Sequence, residues 1–337
     1  MAVKLGFIGV GGISRSHLRD IQAMPGEAEI VGMVDINREQ AEKMAAEFGG
    51  RVFDSAEALA REVDAFYICL PPFAHGEAER AAIHARKPFF VEKPVALTMQ
   101  TAREIEREVA RTGLITCVGY HWRYSMPLDR AREILEGVTI GMVLGYWMGG
   151  GPKPGTTFRP GYWWGVKEKS GGQIVEQTTH IIDSARYLAG EVATVHANLA
   201  LRALGNVQGF TAPDVGTVNL KFESGAIGII VNACMLPRGG QVMLQVIAQG
   251  EERLMTESTL NSLKVTRPDS ITEYPVGPDG FNRAFAIEDA AFVDAVATGD
   301  PSALRSTYAD AVKTLAISLA ANESAETGEP IRLDRWR

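Results

Sequence analysis

A short apolar run that breaks into glycines and then into a helix limits what the N-terminus of this chain can become. Val3–Ile8 is too short and too apolar for anything but a strand. Gly9-Val10-Gly11-Gly12-Ile13-Ser14 follows at once, and Ile13, His17, Leu18 and Ile21 then recur at helical spacing. Strand, tight turn and helix is the context in which a G-x-G-x-x-G pattern carries meaning. Gly9 permits the sharp turn, and Gly11 lets a pyrophosphate approach the backbone. The third position is Ser14, small but not glycine. The free N–H groups at the helix start, with the positive end of its dipole, suit phosphate oxygens. A second strand, 29–35, ends in Asp35, 24 residues after Gly11. An acid there accepts from both ribose hydroxyls and repels a 2′-phosphate, so NAD is the expected cofactor. Arg38 is a counter-signal that keeps NADP as an alternative.

The 337 residues suit two domains, and 46% of them are apolar, enough for sizeable cores. A net charge of −7 argues against nucleic acid or an anionic membrane as the main partner. Cys69, Cys117 and Cys234 are odd in number and far apart, which fits a reducing compartment; the cytoplasm is the expectation. No uncharged run approaches the ~18 residues of a membrane span, and the first apolar run is already used as a strand.

Strands and helices alternate through residues 1–121, with strands at 64–70, 89–91 and 114–120, the signature of a doubly wound parallel sheet. Ligands on such sheets lie beyond the carboxyl ends of the strands, where Gly11, Asp35, Pro71 and Lys93 all fall. After 121 the character changes. A helix over 126–135 and a strand over 141–147 precede a glycine-, proline- and aromatic-rich loop at 149–169. A helix is expected over 171–188. Strands follow at 192–201, 215–222, 226–235 and 242–249, with another over 261–266, and helices over 285–297 and 306–322 close the chain. The segment 226–231 is apolar on both faces, which suggests a second covering layer and a homo-oligomer, dimer or tetramer. The expected division is 1–121 for nucleotide binding and 122–337 for an α+β substrate and assembly domain.

Two constellations carry chemistry. Lys93, between Glu92 and Pro94, can donate to a substrate hydroxyl and stabilise negative charge; it equally reads as a surface lysine paired with Glu92. In Glu176-Gln-Thr-Thr-His180-Ile-Ile-Asp183, a continuous helix puts Glu176 and His180 on one face and Asp183 one turn on. A carboxylate beside an imidazole suits a general base; a buried structural histidine is the other reading. No third ligand is spaced to complete a metal site. Trp163 and Trp164, with Phe158 and Tyr162, suit either stacking on a sugar ring or hydrophobic packing.

The turn Gly9-x-Gly11-x-x-Ser14 with His17, Pro71-Pro72-x-x-His75, Glu92-Lys93-Pro94, Arg123, and Gly171-Gly172 leading to His180 and Asp183 together resemble the Gfo/Idh/MocA oxidoreductases, over nearly the whole chain. The resemblance implies an N-terminal Rossmann domain and a C-terminal domain built on a large, mostly antiparallel sheet. It implies an NAD(P)-dependent dehydrogenase acting on a sugar or cyclitol. Lys93, His180 and Glu176 are then the catalytic candidates. Gly9, Gly11, Gly12, Ile13, Asp35, Arg38, Leu70, Pro71, His75, Glu92, Lys93 and Arg123 are the cofactor candidates, and Trp163, Trp164 and Asp183 the substrate candidates. Glu176 stands where members usually carry aspartate, and Thr178 where they often carry glycine. An NAD-dependent glycosidase and a non-catalytic nucleotide sensor are the rival readings.

Overall fold

The computed structural model describes residues 1–159, 162–277 and 280–336. The chain forms two compact units, Met1–Tyr124 with Asn282–Val312, and Ser125–Phe281 with Lys313–Arg337.

The first unit holds β1 (Val3–Ile8), α1 (Ser14–Gln22), β2 (Ala28–Val34), α2 (Arg38–Phe48), β3 (Arg51–Val52), α3 (Ala56–Ala60), β4 (Ala65–Ile68), α4 (Glu77–His84), β5 (Phe89–Val91), α5 (Met99–Thr112) and β6 (Thr116–Val118). The strands form one six-stranded sheet in the order β3-β2-β1-β4-β5-β6, with every pairing parallel. The order reverses between β1 and β4, the switch point where such sheets open a crevice. Register aligns Ile8 with Val34 and Ile68, Ile68 with Val91, and Val91 with Val118. Gly9, Asp35, Glu92 and Gly119 therefore leave the sheet at one level. Strands β4, β5 and β6 are buried at every position, as sheets covered on both faces require. Ser55 and Thr98 cap α3 and α5 through their hydroxyls.

The core of this unit is aromatic. Tyr67 stacks on Phe7 and on Phe90, with ring centroids 4.9 Å apart in both pairs. Phe292 meets Tyr67 edge-on at 5.4 Å. Phe292 comes from helix 280–298, which the sequence places in the second domain. Because Phe292 and Val293 fill the sheet's core, residues 282–312 belong with the first unit instead.

The second unit contains α6 (Met126–Ile134), β7 (Thr139–Met148), α7 (Lys167–Ser170), α8 (Gln173–Glu176), α9 (Thr179–Ala189), β8 (Val192–Ala200), β9 (Val215–Phe222), β10 (Ile227–Ala233), β11 (Gln241–Gln249), β12 (Arg253–Ser258), β13 (Ser262–Arg267) and β14 (Ser270–Pro275). Helices α10 (Gly280–Thr298) and α11 (Tyr308–Thr327) follow, and then β15 (Ile331–Arg332). Its nine-stranded sheet runs β14-β13-β12-β11-β7-β10-β9-β8-β15, antiparallel except where β7 meets β10. The expectation of a large, mostly antiparallel sheet holds, and β12, β14 and β15 are additions to it. Of the loop expected over 149–169, residues 160 and 161 lie outside the described residues.

The helix expected over 171–188 is interrupted. Gly172 precedes α8, α8 ends at Glu176, and α9 begins only at Thr179. Glu176 and His180 thus lie on two helices, α8 and α9, rather than on one continuous helical face. Helix α9 lies on β7 where Gly145 leaves room. A Cβ there would stand 2.5 Å from the Ile181 side chain, against Ile230 and Leu244.

A charged cluster is buried in the first unit. His17 of α1 is fully buried, with Nδ1 2.8 Å from Asp289 Oδ1 and Nε2 3.1 Å from Glu92 Oε1. Burial pushes the ring toward neutrality, but the Asp289 charge and hydrogen bond, then Glu92, raise it well above its ordinary value. On the same helix, burial and the Asp289 charge push the half-buried Asp20 carboxyl from 3.8 up to about 6, against the opposing pull of His17 and Arg19.

Two outcomes follow from this packing. Gly145→Val overfills the contact between β7 and α9 and should cost about 1–3 kcal/mol, read as a lower Tm. An unchanged Tm would mean that α9 is not seated there. Folded Asp20 holds its proton more tightly than the unfolded chain, so its contribution is present below 3.8 and lost as pH rises through about 6. Asp20→Asn should therefore raise Tm by roughly 2 °C at about pH 7.5, after discounting for solvent screening, and change it little at about pH 4. A gain of equal size at both pH values would contradict this assignment.

Candidate active site

The carboxyl edge of the parallel sheet is shaped for a dinucleotide. Gly9 takes φ +83°, and a Cβ on it would sit 2.6 Å from the Cys69 carbonyl oxygen, so only glycine makes this turn. Gly11 and Gly12 face open space. Ser14 is buried, and its hydroxyl donates to the Gly11 carbonyl at 2.8 Å, closing the turn where a third glycine is more usual. No side chain caps the start of α1, which leaves its N–H groups to phosphate oxygens. Ile13 is 38% exposed at the same turn.

Asp35 accepts the Val10 N–H at Oδ2 and the Asn37 N–H at Oδ1, both at 2.8 Å. Each oxygen keeps further acceptor capacity for a ribose hydroxyl. It is Asn37, not Asp35, that caps α2. The Arg38 guanidinium donates to Glu42 at 3.0 Å and Asp54 at 2.8 Å, so the cation that would attract a 2′-phosphate is engaged by carboxylates. These features fit NAD: an open glycine cradle, an uncapped helix start and an anchored ribose acid.

Leu70 and Pro71 follow β4, and His75 closes the short helical turn Pro72–Ala74. The His75 side chain is buried, with Nδ1 2.6 Å from Glu79 Oε1, while Glu79 Oε2 accepts the Gly76 N–H. With Glu79 as acceptor at Nδ1, a neutral His75 ring presents a lone pair at Nε2. Lys93 is half-buried after β5, its N–H donating to Glu92 Oε2 at 3.1 Å, and the Lys93–Pro94 bond is cis. Arg123 is buried after β6; it donates to the Arg305 carbonyl and lies 2.7 Å from the Asp310 carboxylate. Burial, with the charges of Lys93 and His17, holds the neighbouring His121 well below its ordinary pKa.

In the second unit His180 is buried in the first turn of α9. Its ring stacks on Trp147 of β7 at 5.6 Å between centroids. The Trp147 indole N–H donates to Gln177 Oε1 at 3.1 Å, and Gln173 donates to the same oxygen at 3.2 Å. The residues between α8 and α9 therefore fasten the indole that backs His180. Asp183 is buried and accepts the Thr314 hydroxyl at 2.8 Å, and Thr314 in turn accepts from Arg186. Glu176 is half-buried at the end of α8.

Trp164 packs against a small cluster of Phe158, Leu204, Val207, Phe210, Ala212 and Cys234. Asp214 pins the loop carrying Leu204, accepting from the N–H groups of Arg202, Ala203 and Leu204 at 2.8, 2.7 and 2.6 Å. Trp163 is half-buried beside Tyr162, which is 45% exposed. All three cysteines are free and buried, and burial pushes each thiol up, Cys234 to about 12. Among the described residues no cluster of His, Cys, Asp and Glu could hold a metal ion, and no helix is long and apolar enough to cross a membrane.

Sequence reasoning missed Trp147, Gln177 and Asp289. For Asp289 a signal existed: adjacent acids, Glu288-Asp289, interrupt an apolar stretch that includes Phe285, Ile287, Ala291, Phe292 and Val293. Nothing local marks Trp147.

Residues 3–120 match the model of an oxidoreductase family with an NAD-binding Rossmann fold, GFO_IDH_MocA, and residues 128–252 match the C-terminal domain model of the same family. The scyllo-inositol 2-dehydrogenase (NAD(+)) of Bacillus subtilis is 26% identical, covering 98% of this chain and 96% of its own. An inositol 2-dehydrogenase of Paracoccus denitrificans is 37% identical over 41% of this chain and 43% of its own. The fold is shared with levoglucosan dehydrogenase solved with NADH and levoglucosan, at TM-score 0.88 and 22% identity over 98% of this chain and 99% of that one. With both family models matched in order along the chain, this protein belongs to the Gfo/Idh/MocA oxidoreductases.

Proposed function

We propose that this protein is an NAD-dependent dehydrogenase that oxidises a secondary hydroxyl of a cyclitol or a sugar. What supports this reading is a dinucleotide-shaped sheet edge in the first unit and, in the second, a buried histidine backed by an indole, in a chain similar over 98% of its length to a scyllo-inositol dehydrogenase. NAD, held by the glycine turn and Asp35, would supply the hydride acceptor. His180 takes the hydroxyl proton as general base. Lys93 donates to the same oxygen and stabilises its alkoxide character. Trp147 holds the His180 ring plane, and Gln177 holds Trp147. Asp183, tied to Thr314, fixes α9, and Glu176 supports the base from the end of α8. Asp35 selects the unphosphorylated ribose, with Leu70, Pro71, His75 and Arg123 along the same cofactor edge. Trp163 offers the substrate an aromatic face, and Trp164 supports it from the packed cluster behind.

The protein is proposed to be a homo-oligomer in the cytoplasm. The face of the nine-stranded sheet away from α9 carries a cross-strand row of Ile227, Met142, Ile247, Met255, Thr266 and Ile271, set by strand register. Ile227, Ile247 and Ile271 are 54%, 41% and 64% exposed. An apolar row of this extent suits a second copy of the same face. Light scattering over a dilution series should give a dimer or tetramer, and Ile247→Lys should shift it toward monomer; a parent monomeric at micromolar concentration would remove the proposal.

Three measurements address the chemistry. NADH formation across a panel of inositols, sugars and their derivatives should identify a substrate; release of free sugar from a glycoside without net NADH would favour the glycosidase reading. The kcat/KM with NAD should exceed that with NADP, and a clear NADP preference would reject the role given to Asp35. His180→Ala should lower kcat by roughly 10²–10⁴-fold with NAD affinity little changed. A destabilised but fully active His180→Ala protein would reduce His180 to a packing residue.

A further inference from the structure

We propose that His17 is a positioning residue for Lys93, acting through a buried chain that runs from Asp289 through the imidazole to Glu92 and the Lys93 main chain. The inference rests on the role proposed above for Lys93.

The geometry specifies the link atom by atom. Asp289 of α10 meets His17 Nδ1 through both oxygens, at 2.8 and 3.1 Å. Glu92 Oε1 meets His17 Nε2 at 3.1 Å, and its other oxygen accepts the Lys93 N–H at 3.1 Å. Gly119 of the adjoining strand end leaves room for this carboxylate, since a Cβ there would lie 2.7 Å from Glu92 Oε1. A neutral imidazole has one N–H and one lone pair, and the lone pair would then face a carboxylate. Only the imidazolium donates to both, so the arrangement asks for a doubly protonated ring.

The surroundings agree. Asp289 and Glu288 on α10, Asp20 on α1 and Glu92 after β5 set the negative side of this region. Lys93 sets the cationic side, and His121, held well below its ordinary pKa by burial and by Lys93 and His17, adds no charge there. Tyr67 and Phe90 flank the ring, and Phe285 closes it edge-on at 5.8 Å. His17 is fully buried, so it acts on the reaction through Glu92 rather than by touching substrate. Removing the imidazolium would leave Glu92 a buried carboxylate without its cation, and the Lys93 loop would shift to rehydrate it.

The test compares His17→Gln and Asp289→Asn in the full chain, with Glu92→Gln as a third variant should either fail to fold. In ¹⁵N-histidine NMR, His17 of the parent should remain doubly protonated above neutral pH, and Asp289→Asn should lower its midpoint. In ¹³C-lysine NMR, the Lys93 signal, assigned through Lys93→Arg, should move in both variants. With substrate, kcat should fall roughly ten- to hundredfold, the scale of a small misplacement, while NAD affinity is kept. In a Lys93→Ala background the same substitutions should cost little more, because the two act as one unit. A neutral His17 at neutral pH, an unmoved Lys93 signal, or losses that multiply in the double variants would overturn the inference. The two spectroscopic results stand even if no polyol is turned over, so failure of the dehydrogenase reading is told apart from failure of this one.

Discussion

A buried imidazolium held by two carboxylates is an expensive arrangement. Each ion loses several kcal/mol of hydration, regained only if every donor and acceptor is met at good geometry. His17, Asp289 and Glu92 meet that condition at 2.8 and 3.1 Å. The contact draws together the helix that starts at the glycine turn, the loop that presents Lys93, and a helix 272 residues further along the chain. A hydrophobic replacement of similar volume would fill the space without fixing which atoms lie where. The return of residues 282–312 to the first unit is the architectural consequence, since α10 brings both Asp289 and the Phe292 ring that caps the aromatic stack.

The two units contribute different kinds of order. In the parallel sheet, register alone sets Gly9, Asp35, Glu92 and Gly119 at one level, so backbone geometry places the cofactor determinants before any side chain is chosen. In the second unit, side-chain bonds do this work. The break between α8 and α9 turns Gln177 toward Trp147, and the indole then backs His180. An unbroken helix would keep the amphipathic pattern and lose this fastening.

The local grammar of the first unit was legible. The strand–glycine–helix opening, the acid at Asp35 and the strand ends at Pro71 and Lys93 each depend on a few neighbouring residues. What the sequence hid depends on contacts between distant segments. Asp289 acquires meaning only beside His17. The interruption at residues 177–178 is masked because Ile174, Ile181 and Ile182 keep a helical apolar rhythm across it. Strands β12 and β14 escaped because Arg253, Glu257 and Glu273 dilute their period, and pairing with neighbours supplies what propensity lacks. Trp164 illustrates a limit of composition, since an aromatic-rich loop reads alike whether its rings meet a sugar or one another, and here Phe158 and Phe210 take this one.

Dehydrogenation of a polyol by this chain requires direct hydride transfer from the substrate carbon to NAD. It is tested most directly with a turned-over cyclitol or sugar carrying deuterium at the oxidised carbon. The label should appear in the nicotinamide ring of the NADH formed, with none lost to solvent, and transfer should slow in His180→Ala and Lys93→Ala proteins. Label released to water, or product formed with the deuterium still on its original carbon, would contradict it.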